Sequence, residues 1–168
     1  MKIGLGYDLH RLIRGRPLYL GGVEIPHGKG LLGHSDGDAL IHALIDALLG
    51  AAGEGDIGSL FPDTDPAFRG IRSPELLRAV MIRLRKKGFR VANADVVVVA
   101  EAPTLGPHFA AMKKALAPIL GIDESALGLK AKTNEGLGLI GKGAAIACWA
   151  VVLLETSPRS SRKLGAAV

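Results

Sequence analysis

Residues 38–50, DALIHALIDALLG, constrain the fold of this chain more than any other segment. Their spacing predicts a helix stopped by Gly50, and almost every position on it is apolar. A helix that is apolar nearly all round is buried nearly all round, so the rest of the chain must close over it. Only Asp38, His42 and Asp46 interrupt it; spaced by four, they form one polar stripe. An unpartnered buried polar group costs about 1–3 kcal/mol, so the stripe needs a purpose. One purpose is hydrogen bonding to neighbouring loops. The other is a metal ion.

The remaining segments supply what closes over that helix. Residues 2–12 and 90–100 read as strands, the second apolar on both faces around Val96 to Val99. Residues 16–25 read as a hairpin turning at Gly21-Gly22, and the glycine-rich 27–37 as a loop. Residues 51–72 read as a long irregular segment, which in a compact domain is functional or mobile. Ser73-Pro74-Glu75 opens a helix, with Ser73 as its cap and proline at the first helical position, and Gly88 closes it. A third helix spans 107–120 and should end near Pro118; strands follow at 127–134 and 143–155. The fold class is α/β, or α+β and sandwich-like: a single mixed sheet with helices packed on one face. The folded domain covers residues 1–156, and 157–168 reads as a frayed, flexible tail.

Composition excludes several classes. The 168 residues fit one domain, and one cysteine leaves no disulfide framework or cysteine-based zinc knuckle. No apolar run reaches the roughly 18 residues of a membrane span, and no signal-peptide pattern opens the chain, so a soluble cytoplasmic protein without membrane partners is expected. A net charge of +5 invites a nucleic-acid reading. Much of that charge, however, lies at Arg78, Arg83, Arg85, Lys86 and Lys87, towards the end of a helix, where the helix dipole favours cations. Aromatics are only 4% and no helix-turn-helix signal occurs, so a nucleic-acid partner is not expected.

Five constellations carry chemistry. Asp8 and His10, two apart on the first strand, project from one face. With His42 they make a carboxylate and two imidazoles, a three-ligand set for zinc with an open fourth position; Asp46, one turn on, would orient His42. A surface Asp–His hydrogen bond is the simpler account of the first pair. In Gly33-His34-Ser35-Asp36-Gly37, backbone N–H groups ahead of a helix suit an anion, and Ser35 or Asp36 also suits a helix cap. Asp56, Asp63 and Asp65 lie in a glycine- and proline-shaped loop, fit for polyol hydroxyls, a metal or ordinary turns. In Lys130-Ala131-Lys132-Thr133-Asn134-Glu135, lysines, a hydroxyl and a carboxylate fit a diphosphate with a hard cation, or an exposed strand end. Cys148 and Trp149 read as core.

Together, GYDLHRL, then LLGHSDGDALIHALIDALLGAAGEGDIGSLFPDTDP, then KAKTNEGLG resemble the 2-C-methyl-D-erythritol 2,4-cyclodiphosphate synthase family, over residues 1–155. The resemblance implies a homotrimer whose sheets face the threefold axis, with active sites between subunits. It implies attack by the 2-phosphate of 4-diphosphocytidyl-2-C-methyl-D-erythritol 2-phosphate on the β-phosphorus of the same molecule, releasing CMP, in non-mevalonate isoprenoid synthesis. It places zinc, or another divalent transition metal, on Asp8, His10 and His42, and magnesium or manganese on Glu135. His34 and Thr133 would stabilise the transition state, and His34 and Ser35 would meet the erythritol phosphate. Asp56, Gly58, Phe61, Asp63 and Asp65 would line the erythritol pocket. Ala100, Pro103 and Gly106, with Ala131, Lys132 and Thr133, would take the cytidine. Leu139 and Lys142 stand where the family commonly has an aromatic and an arginine lining a central cavity for an isoprenoid diphosphate; lysine lacks the guanidinium fork. The chain opens on Met1 and reads as free-standing.

Two other classes compete with the cyclase. A zinc hydrolase on the same ligands would yield a linear product. A basic binding module would bind independently of zinc and release with salt.

Overall fold

The computed structural model describes residues 1–156; the expected tail, 157–168, lies outside the described residues. Strand β1 (Lys2–Arg14) pairs antiparallel with β7 (Ala145–Thr156), which pairs antiparallel with β5 (Phe89–Val99). Strand β6 (Leu127–Lys132) runs parallel to β5, and the short β4 (Lys29–Leu31) borders β1, so the mixed sheet has the order β4-β1-β7-β5-β6. The hairpin β2 (Leu18–Leu20) and β3 (Val23–Ile25) forms a separate two-stranded sheet around Gly21-Gly22, as the sequence predicts.

Helix α1 (Ala39–Ala52) lies on one face of this sheet, and every residue in it except Asp46 and Gly50 is buried. Each fully buried leucine or isoleucine is worth roughly 1.5–3 kcal/mol, so this helix anchors the core. It touches the sheet backbone directly. A Cβ on Gly4 would stand 1.9 Å from the Ala47 carbonyl oxygen, and one on Gly6 would stand 2.0 Å from that of Ala43. Two residues of strand advance about 6.6 Å and four of helix 6.0 Å, so the two run in step. The next strand position on this face is Asp8, and the helix meets it at His42. Helices α3 (Ser73–Lys86) and α4 (Phe109–Leu120) complete the layer.

The structure moves several expected boundaries. Helix α1 passes through Gly50, which is solvent-exposed, and ends at Gly53, whose φ of 75° makes the left-handed cap. Ala51 and Ala52 extend the buried face, which outweighs the roughly 1 kcal/mol that an interior glycine costs. Helix α4 likewise continues through Pro118 to Leu120 and ends at Gly121. Residues 27–37 contain β4, held by β1. Residues 51–72 contain a short α2 (Ile57–Leu60) and a 3-10 turn at Pro66–Phe68, each capped by an aspartate, Asp56 and Asp65. A one-turn α5 (Gly138–Gly141) precedes β7. Ser73 is the first residue of α3, not its cap: Arg72 holds the cap position, and the Ser73 side chain turns into the core.

The other face of the sheet is open. Ile3, Leu5, Tyr7 and Leu9 alternate outward along β1, beside Trp149 and Val151 of β7. Trp149, expected in the core, is therefore on this face, its ring 4.8 Å from that of Tyr7, whereas Cys148 is fully buried.

Candidate metal centre and substrate cleft

The three expected metal ligands converge. The Asp8 carboxylate oxygen lies 2.9 Å from His10 Nε2 and 3.1 Å from His42 Nδ1, and the two ring nitrogens are 3.1 Å apart. Four ligands at zinc's usual distance of about 2.0–2.1 Å have edges of about 3.3 Å, so this triangle is close to three corners of such a tetrahedron.

The surrounding hydrogen bonds agree with that use. His10 Nδ1 donates to the Leu32 carbonyl at 2.5 Å, which leaves Nε2 with its lone pair inward. His42 Nε2 is engaged by Ser73 Oγ at 2.9 Å and Ser35 Oγ at 3.2 Å, which turns Nδ1 inward. Two lone pairs and a carboxylate then face one another, an arrangement that calls for a proton or a cation between them. Burial works against ionising Asp8, but the hydrogen bonds and charges of His10 and His42 outweigh it and hold the carboxyl at about 2. Burial likewise depresses His10, but Asp8 prevails and raises it. The donor set fits a divalent cation.

The polar stripe of α1 divides its labour. Asp38 is wholly buried and accepts from Gly21 N, Gly22 N and Ile41 N at 2.7–3.1 Å, capping the helix and tying the hairpin turn to it. Asp46 does not orient His42: its carboxylate accepts from Ile57 N at 2.8 Å and so holds the start of α2. The bond expected of Asp46 is made by Ser73.

The triad opens on a cleft of about 400 Å³. Gly33, His34 and Ser35 line it together with Ile57, Gly58, Phe61, Pro62, Asp63 and Thr64, and with Phe68, Ile71 and Leu76. Phe61 and Phe68 meet edge to face at 5.2 Å and stiffen the apolar wall. Among the described residues, His34 Nε2 is the buried side-chain polar atom without a partner, and its residue lines this cleft. Ser35 is tied to His42 and accepts from Gly37 N at 3.2 Å. Asp56 and Asp65 are outside the lining; Asp56 caps α2 and Asp65 caps the 3-10 turn.

The second group of expected residues gathers elsewhere. Ala100 N bonds Lys132 O at 3.0 Å, bringing the 100–106 segment, with Pro103 and Gly106, to the end of β6. Beyond it Thr133 donates to Glu135 Oε1 at 2.6 Å, and Glu135 is the one non-glycine among the described residues with a positive φ, 51°. Such strain collects at functional positions. Lys130 is paired with Asp95 of β5. Asp8, Cys148, Val98 and Ala131 lie in one row across four strands, so the two groups are three strand spacings apart in one chain, about 14 Å. Leu139 lies exposed on α5 and Lys142 caps its C-terminal end.

Arg16 and Ser73 escaped the sequence reading as site residues. Arg16 donates from Nη1 to Gly33 O at 2.9 Å and from Nη2 to Ser35 O at 2.7 Å, pinning the loop that carries His34. Nothing in its sequence context distinguishes it from a hairpin flank. Ser73 carried the signal of a helix cap.

Fold and site define a class: an α/β protein with a two-histidine, one-carboxylate triad that could hold a metal ion at the mouth of a cleft. The chain belongs to the YgbB family, whose family model matches residues 1–155. It is 54% identical over 167 residues to 2-C-methyl-D-erythritol 2,4-cyclodiphosphate synthase from Desulfosudis oleivorans, covering 99% of both chains. It is 57% identical over 153 residues to the bifunctional enzyme IspD/IspF from Desulforudis audaxviator, covering 91% of this chain but 39% of that one. A solved 2C-methyl-D-erythritol-2,4-cyclodiphosphate synthase in a CDP-bound form superposes with a TM-score of 0.85 at 47% identity, covering 92% of this chain and all of that one. Among the described residues, no helix is long and apolar enough to cross a membrane.

Proposed function

We propose that this protein is a 2-C-methyl-D-erythritol 2,4-cyclodiphosphate synthase of the non-mevalonate isoprenoid route. In the reaction, an oxygen of the substrate's 2-phosphate forms a bond to the β-phosphorus of its own diphosphate. The bond from that phosphorus to the bridging oxygen breaks, and CMP leaves with the oxygen. The observation that carries this reading is the convergence of Asp8, His10 and His42 at the mouth of the cleft, in a chain of this family.

Nucleophile and electrophile belong to one molecule, so the protein's task is to fold the substrate and reduce the repulsion between two phosphates. Zinc on Asp8, His10 and His42, and magnesium or manganese on Glu135, would supply positive charge at the diphosphate. His34, with its buried Nε2 free, donates to phosphate oxygen from the Arg16-pinned loop. Gly58, Phe61 and Asp63 shape the erythritol end of the cleft, while Asp56 and Asp65 hold its backbone. Thr133, Lys132 and the 100–106 segment take the cytidine diphosphate end.

Those two ends are too far apart in one chain to hold a single diphosphate, and the open sheet face is apolar along Ile3, Leu5 and Trp149. Both features support a homotrimer with the sheets around the axis, one chain's triad meeting the next chain's Thr133 and Glu135. An isoprenoid diphosphate in the axial cavity would meet only the Lys142 ammonium in place of a guanidinium fork, and Leu139 in place of an aromatic ring, so that site is weaker than the family's.

Phosphorus NMR of the products decides the reading. Equimolar CMP and a cyclic diphosphate, both lost on chelation, are expected. CMP with a linear bisphosphate would identify a hydrolase instead.

A further inference from the structure

We propose that Ser73, held in place by Asp36, is the positioning residue that fixes His42 to present Nδ1 to the metal. The inference rests on the metal reading above and deepens it.

Asp36 is buried and its carboxylate is surrounded by donors. Oδ2 accepts from Arg72 Nε at 3.0 Å and from Ser73 N at 3.0 Å, and Oδ1 accepts from Asp38 N at 3.2 Å and from the Ser73 hydroxyl. A carboxylate bonded to a guanidinium and two backbone amides is an acceptor only, so the Ser73 hydroxyl must donate to it. That leaves an Oγ lone pair pointing at His42 Nε2, 2.9 Å away. The imidazole must then carry its proton on Nε2 and its lone pair on Nδ1, which is the atom beside Asp8 and His10.

The geometry is set by rigid parts. Ser73 opens α3 and is fully buried, and its own backbone N–H is bonded to Asp36. Arg72, on the far side of Asp36, is stacked 3.7 Å over the Tyr19 ring. Ser35 also reaches His42 Nε2, but at 3.2 Å and from a loop. The relay Arg72–Asp36–Ser73–His42 therefore ties α3 to the metal cradle.

Two measurements test this. In metal-free protein, well above the ordinary imidazole pKa of about 6.5, long-range nitrogen–proton NMR should show His42 with its proton on Nε2. A proton on Nδ1 overturns the proposal, and this readout needs no variant to fold. Competition against a chromophoric chelator then reads zinc affinity. Ser73→Ala should weaken it about 10–100-fold, with Ser73→Thr recovering most of the loss through the restored hydroxyl. Parent and Ser73→Ala holding zinc equally would overturn this inference alone. A parent that takes up no zinc would overturn the metal reading and this inference with it.

Discussion

Gly6 of β1 and Ala43 of α1 are in backbone contact, so close that a Cβ on the glycine would stand 2.0 Å from the alanine carbonyl oxygen. This contact sets the distance from Asp8 and His10 on the strand to His42 on the helix. Gly6→Ala must push α1 off the sheet, since the neighbour is backbone and cannot rotate away. Overpacking a core costs typically about 1–3 kcal/mol, and this substitution should sit at the top of that range or above it. Urea denaturation should show the loss, and zinc affinity should fall with it. A variant as stable as the parent would mean that the helix has room the structure does not show.

His42→Ala removes one donor of the triad and leaves Asp8 and His10. Bound zinc should be lost by more than about 100-fold in affinity, beyond what positioning residues contribute, and turnover should nearly vanish. Metal analysis of the purified variant, beside its thermal melt, checks this. Stoichiometric zinc in a well-folded His42→Ala protein would exclude the assignment.

The layout of the fold was legible because apolar periodicity and turn chemistry are local. The buried α1, the Gly21-Gly22 hairpin and the β5 run all follow from spacing within a few residues of one another. The ends of α1 and α4 were not, since Gly50 and Pro118 weaken a helix by amounts that buried Ala52 and Leu120 override. The triad was legible through the polar stripe, but only its residue types; that Asp46 would bond Ile57 and leave His42 to Ser73 depends on how α3 meets α1. Arg16 was invisible for the same reason: its partners are two carbonyls, and a carbonyl leaves no mark in a sequence.

The Arg16 clamp gives a further prediction. Its two bonds, at 2.9 and 2.7 Å, hold the carbonyls on either side of His34. Hydrogen bonds to a charged group are worth about 1.5–3 kcal/mol, so Arg16→Ala should let this loop move. We expect KM to rise about tenfold or more, the equivalent of 1.4 kcal/mol, while zinc content stays at the parent level. Steady-state kinetics with metal analysis separates the two. A fall in zinc with unchanged KM would place the role of Arg16 at the metal instead.

Protonation should set the stability of the metal-free protein. Asp8 is held at about 2, below its ordinary value of 3.8, so its contribution is present above the ordinary value and lost as pH falls through the folded one. For this partly exposed group it is at most about 2 kcal/mol. His10 is raised above 6.5, so its contribution is present below that value and lost as pH rises through the folded one. Metal-free protein should therefore be most stable between about 4 and 6.5. Zinc displaces the proton and should move the maximum upward. Melting curves across this range, with and without zinc, check the sign, and Asp8→Asn should flatten the acid limb.

The open sheet face carries the last prediction. Leu5 and Val151 are registered partners on β1 and β7, and Leu5 is 68% exposed. Ile3, Leu5, Tyr7 and Leu9 form an apolar row beside Trp149, whose ring meets that of Tyr7 at a 46° tilt. An apolar row of this kind on a half-covered sheet marks an interface. In the proposed trimer a carboxylate there would be desolvated three times over, so Leu5→Asp should break that assembly while each chain keeps its fold. Sedimentation should show monomers with the circular dichroism of the parent. Zinc should still bind, since Asp8, His10 and His42 belong to one chain. Turnover should be lost, since Ala131, on the strand that leads to Thr133 and Glu135, lies three strand spacings, about 14 Å, from Asp8 in the same chain. A monomeric Leu5→Asp protein with full activity would show that one chain closes the site alone, and the division of the site between neighbours would fall.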